Sequence, residues 1–132
     1  MHTFVEQEER LHSIRLGHEG DFIAALDAFI TEKSSPFYIQ AIKKTHLKVI
    51  SKKAFMDMVQ SSQELFALWY SLLEQFVYQQ IEREKDLLLE SPRARYERVW
   101  KRSPQLFQHI PHKYIASYLR MTPETLSRIK KG

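Results

Sequence analysis

The sequence predicts an α+β protein whose strands lie in roughly the first fifty residues and whose remainder is helical. Two observations carry that prediction. Short β-rich runs punctuated by turn residues, RLHSIRL, FYIQAI and HLKVI, all precede residue 51. After it come a long stretch with apolar residues at helical spacing, SSQELFALWYSLLEQFVYQQIEREKDLLLE, and a series of short helices that open on Ser-Pro or Thr-Pro.

Composition narrows the class. At 132 residues, with 43% hydrophobic and 12% aromatic content, the chain can bury a core, which excludes a disordered segment. The lack of cysteine excludes disulfides, thiolate metal sites and cysteine nucleophiles. No apolar run is long enough to cross a bilayer, and MHTFVEQEER has no signal-peptide pattern. A cytoplasmic protein with no membrane partner is expected.

The elements follow in order. RLHSIRL is read as a strand, with Gly17 and Gly20 marking the turn after it. DFIAALDAFI spaces Phe22, Leu26, Phe29 and Ile30 as a helix does. KSSP breaks the chain, and FYIQAI and HLKVI read as two strands joined by a Lys-Lys-Thr turn. Ser51 can cap a short helix running to about Val59, and Ser61 with Glu64 has the form of a capping box for the long helix. Apolar residues nearly encircle that helix, so it needs two covers. One is expected to be its own sheet and the other a second copy of the chain, met through Leu65, Trp69, Leu72, Leu73 and Phe76. Ser91-Pro92, Ser103-Pro104 and Thr122-Pro123 then divide the rest into helices at about 91–101, 104–109, 112–120 and 123–131. Trp100 is expected to plug the space between the first and third of these. The domain boundaries fall at 1–60, 61–90 and 91–132.

Charge is unevenly spread. Residues 1–92 hold 10 Lys+Arg against 14 Asp+Glu, whereas residues 93–132 hold 10 against 2, a net +8. Such a basic segment is either a solvated face or a surface for a polyanion. YIASYLRMTPETLSRIKK favours the second. Ile115 and Leu119 give one helix an inner face, with the small Ala116 beside them. Arg120-Met121-Thr122 turns the chain, Thr122 caps and Pro123 starts the next helix, and Leu126 and Ile129 are its inner face. That is the spacing of a helix-turn-helix. The outward residues suit DNA: Arg128, Glu124 and Ser127 can address base edges, while Thr122, Thr125, Lys113, Lys130 and Lys131 suit phosphates. Arg93, Arg95, Arg98, Lys101 and Arg102 are further phosphate candidates.

IASYLRMTPETLSRIKK resembles the helix-turn-helix of the Crp/Fnr transcription regulators, relatives of the cyclic-AMP receptor protein. EGDFIAALDAFITEKSSPFYIQAI is similar to the phosphate-binding cassette of their β-roll, and the helix at 61–88 to their dimerisation helix. The resemblance implies a partial cyclic-nucleotide-binding-like β-roll, a dimer spine and a C-terminal winged-helix-like domain, its wing reduced or absent. It implies a homodimer on double-stranded DNA, with Glu124 and Arg128 at the bases. It also implies an effector pocket around Gly20, Asp21, Ser34 and Ser35. That pocket is degenerate, because the family's cassette arginine falls at Ser35. Losing that cation argues against cyclic AMP, so an effector, if one binds, is of unknown kind. The turn position the family gives to glycine is Arg120. Few residues precede RLHSIRL, so a half β-roll would have open edges, as in a shortened product or one completed by a partner chain.

Other groupings are weaker. His109 and His112 are separated by Pro111 within a basic segment, so no metal is expected. Glu19, Asp21 and Asp27 read as turn and helix-start acids. Lys43, Lys44, Lys48, Lys52 and Lys53 read as a solvated edge. No nucleophile, base and oxyanion donor assemble, so the chain is not read as an enzyme, and no cofactor is expected. The alternative reading is a dimeric ligand-binding or protein-interaction module with a vestigial helix-turn-helix.

Overall fold

The computed structural model describes residues 1–7 and 10–132. Among them the chain is α+β, with a three-stranded antiparallel sheet and seven helices. In chain order these are β1 (His2–Gln7), β2 (Arg10–Leu16), α1 (Leu26–Thr31), β3 (Tyr38–Gln40), α2 (Lys52–Gln60), α3 (Gln63–Leu88), α4 (Pro92–Arg102), α5 (Pro104–His109), α6 (His112–Tyr118) and α7 (Pro123–Lys131). The chain divides into two compact units, Met1–Lys44 with Asp86–Gly132, and Thr45–Lys85.

In the first unit the sheet order is β2-β1-β3. RLHSIRL forms the expected strand, β2, and pairs with β1, a strand the sequence reading did not place. The register shifts between Thr3 and Phe4, so that His2 faces Leu16 while Phe4 faces Ser13. This irregularity matters because a side-chain period of two would otherwise send Ser13 and Leu16 to opposite faces. Here both are buried, with His2 beside them. His2 Nε2 lies 2.7 Å from Ser13 Oγ, and the His2 ring packs on Tyr114 of α6 with centroids 4.6 Å apart.

The core of this unit joins Leu16 to Val99, Ile110, Ile115, Ala116, Leu119 and Leu126. Val99 fills the position expected of Trp100. Trp100 itself is 42% exposed and lies against Tyr96 and Phe107, on the side of α4 that meets α5. The indole is too large and polar to enter a core that a valine closes. Ser91 caps α4 by accepting from Ala94 N–H at 3.3 Å, with Pro92 in the first turn. Ser103 makes no such side-chain bond, although Pro104 still opens α5.

The predicted helix over DFIAALDAFI is shorter than expected, beginning at Leu26. Asp21, its natural cap, instead accepts from His18 N–H at 2.8 Å and closes the preceding turn, while Ala25 at the true N-cap has no side chain that can accept. FYIQAI contributes only Tyr38–Gln40, paired with β1.

In the second unit, HLKVI is not a strand. Leu47, Val49 and Ile50 are exposed, Val49 at 89%. β-Branched residues favour a strand only where a neighbour takes up the main-chain bonds, and β1 pairs with β2 and β3 instead. Ser51 caps α2 as expected, accepting from Ala54 N–H at 3.2 Å. The cap of α3 is Ser62 rather than Ser61: Ser62 Oγ accepts from Leu65 N–H, while Ser61 Oγ donates to Met58 O and finishes α2. Along α3, Leu65, Trp69, Leu72, Leu73 and Phe76 are half-buried, and Trp69 meets Phe55 of α2 edge-on at 5.1 Å. The open apolar stripe is a different one. Phe66, Tyr70, Val77 and Ile81 are exposed, and their spacing of four, seven and four residues puts them on one face.

Candidate functional site

The candidate site is the α6–α7 pair and the turn between them. α6 ends in a Schellman arrangement: Met121 N–H donates to Ala116 O at 3.0 Å and Arg120 N–H to Ser117 O at 3.1 Å. That motif needs a left-handed residue after the helix, and Arg120 supplies it at φ 56°. An arginine there costs about 1–2 kcal/mol over a right-handed conformation. The turn is held from outside. Arg95 of α4 donates through Nε to Leu119 O at 2.8 Å and through Nη2 to Arg120 O at 3.2 Å, and its Nη1 reaches Leu89 O and Glu90 O. One guanidinium thereby satisfies carbonyls just past the ends of two helices, α3 and α6.

α7 then starts cleanly. Thr122 is its N-cap and accepts from Thr125 N–H at 3.2 Å, Pro123 opens the first turn, and Glu124 complements the helix dipole. Leu126 is fully buried beneath, against the cluster that contains Ile115, Ala116 and Leu119. Glu124, Arg128, Lys130 and Lys131 are exposed, with Thr125 and Ser127 half-buried at the flanks. Arg128 Nη2 lies 3.5 Å from Thr125 Oγ1. With Ile129 these two residues border a shallow groove whose other wall is Ser91, Pro92 and Arg93 at the start of α4. Lys130 Nζ lies 2.6 Å from His112 Nε2. An ammonium can only donate, so in this pair Lys130 is the donor and His112 Nε2 the acceptor. Lys113 sits over the Tyr114 ring, 4.9 Å from its centroid. Glu124, Arg128, Lys130 and Lys131 thus keep their side chains on the outside of this module.

Three of the further candidates do not. Besides Arg95, Arg98 and Arg102 are bound to Asp86, which is fully buried. Arg98 Nε donates to Asp86 Oδ1 at 2.8 Å, and Arg102 reaches both carboxylate oxygens, at 3.0 and 2.5 Å. This pairing anchors α4 to the end of α3. Asp86 carried little sequence signal, because it follows the charged run Glu82-Arg83-Glu84-Lys85 and its partners sit more than ten residues away.

The residues expected around an effector are committed locally. Gly20 has φ 88°, which fits its turn, and Asp21 closes that turn on His18. Ser35 Oγ donates to Asp27 Oδ1 at 3.0 Å and accepts from Phe37 N–H, while Ser34 is exposed. Among the described residues, no three His, Asp or Glu side chains gather as a metal site would need, and no helix is long and apolar enough to cross a membrane.

Buried His2 has a displaced titration. Its pKa is lowered, first by burial and then by the Met1 amino group and Lys113 nearby. No protein-family model, curated protein or solved structure matches the chain.

Proposed function

We propose that the chain is a sequence-specific DNA-binding regulator of the Crp/Fnr type, which reads the major groove with α7. The observation that carries this reading is the two-sidedness of α7. Leu126 is wholly buried beneath it, while Glu124, Arg128, Lys130 and Lys131 stand outward on a helix started by Thr122 and Pro123. Arg128 would take guanine O6 and N7, and Glu124 would accept from cytosine N4, with Ser127 at the margin. Thr122, Thr125, Lys113, Lys130 and Lys131 would meet phosphates and fix register. The chain would act as a homodimer in a cytoplasmic setting, with the exposed face of Phe66, Tyr70, Val77 and Ile81 on α3 against its copy. Two α7 helices would then enter successive major grooves about 34 Å apart on a near-palindromic site.

That same apolar face supports a second reading, a protein-interaction module whose basic helices bind no duplex. Fluorescence anisotropy with a mixed-sequence duplex, titrated from low to moderate salt, separates the two. The regulator reading expects a steep fall of affinity with salt. Absence of binding at low salt would favour the interaction module.

A further inference from the structure

β2 is an outer strand of the sheet, so one row of its main-chain groups has no strand beside it. Leu11 and Ser13, two residues apart, direct their groups to the same side. A single hydroxyl on α6 takes both. Ser117 Oγ donates to Leu11 O at 3.0 Å and accepts from Ser13 N–H at 3.0 Å. It stands in for a neighbouring strand. The residue between them is used as well: Arg120 Nη1 lies 2.8 Å from His12 Nδ1. A guanidinium has no acceptor, so His12 accepts at Nδ1. Arg120 is also the left-handed residue that turns the chain into α7. The hairpin thus touches the α6–α7 pair at its last helical turn and at the turn itself, more than 100 residues away in sequence.

We propose that the β1–β2 hairpin positions α7, with Ser117 and Arg120 as the positioning residues and Leu11, His12 and Ser13 as the points they grip. The proposal rests on the DNA-binding reading above. It adds that α7 meets a duplex in the right attitude only while the hairpin is clipped on. Neither Ser117 nor His12 touches the duplex in this account. A hairpin that merely covered α6 would stabilise the fold without affecting how α7 is presented.

The test uses the full chain and four proteins: wild type, Ser117→Ala, Ser117→Thr and His12→Ala. Two quantities are read on each, hydrogen exchange at the Ser13 amide and anisotropy with the mixed-sequence duplex. Ser117→Ala should accelerate Ser13 exchange and weaken duplex binding about tenfold. Ser117→Thr keeps the hydroxyl and should restore both. His12→Ala should weaken binding while leaving Ser13 protected. The slope of affinity against salt should stay the same throughout, because no phosphate contact is removed. Faster Ser13 exchange with unchanged affinity would overturn the proposal and leave the DNA reading intact. A Ser13 amide that exchanges freely in the wild type would overturn the clip itself. A protected Ser13 in a wild type that binds no duplex at any salt would sink the DNA reading and the proposal together.

Discussion

Helices α3 and α7 both carry apolar residues that need cover, yet they meet that need differently. α7 is nine residues long and its central leucine is fully buried under the same unit's core. α3 is twenty-six residues long and exposes Phe66, Tyr70, Val77 and Ile81 along one face. The short helix is finished within its own fold and shows charge outward. The long one shows hydrocarbon outward and is incomplete by that measure. A basic helix with a sealed underside is suited to a hydrated polyanion, and an apolar helix face to another protein surface.

This contrast can be broken from either side, beginning with the largest expected effect. Leu126→Ala should cost about 3 kcal/mol in denaturant unfolding, because it opens a cavity where nothing is exposed. Val77→Ser on the open face of α3 should change the stability of the isolated chain by less than about 0.5 kcal/mol. It should instead lower the oligomeric state in sedimentation, and a large loss of stability would mean that face is covered internally. Asp86→Asn should cost about 2 kcal/mol, since it removes the charge that gathers Arg98 and Arg102, both partly solvated. A neutral result would show that the α4 anchor does not depend on that pair.

The pH effect is smaller, and its sign follows from His2. The folded chain holds this imidazole below its ordinary value, so the unfolded chain binds the proton more readily. Stability should be at its full level above about pH 6.5, the unfolded value, and decline as pH falls through the depressed folded one. His2→Gln should flatten that part of the profile. The smallest change expected is a gain. Arg120→Gly should stabilise the fold by about 0.5 kcal/mol, the relief of left-handed strain less the added chain entropy. Destabilisation would mean that the Arg120 side chain's bond to His12 outweighs the strain.

What could be read from the sequence was what the chain decides locally. Ser51, Ser91 and Thr122 cap their helices because the accepting hydroxyl and the donating N–H are three residues apart. Arg120, left-handed in the structure, stands at the turn position that the family resemblance gives to glycine. Whatever depends on distant partners was not. β1 is a strand because β2 and β3 flank it, and HLKVI is not one although its composition favours it more. For β1, the nearness of HTFVEQ to RLHSIRL in the sequence was the available hairpin signal. The same limit applies to the site. The outward face of α7 follows from helical period, whereas the diversion of Arg95, Arg98 and Arg102 to carbonyls and to Asp86 needed three dimensions.

The central claim is that α7 reads sequence through Arg128 and Glu124. The most direct measurement is selection from a random duplex pool, at moderate salt, with the wild type and Arg128→Ala in parallel and the bound fraction sequenced. The account predicts an enriched near-palindrome for the wild type. It predicts that Arg128→Ala binds about 1–3 kcal/mol more weakly and loses preference at one base position of each half-site. An equal loss of affinity across all sequences, or no enrichment by the wild type, would contradict it.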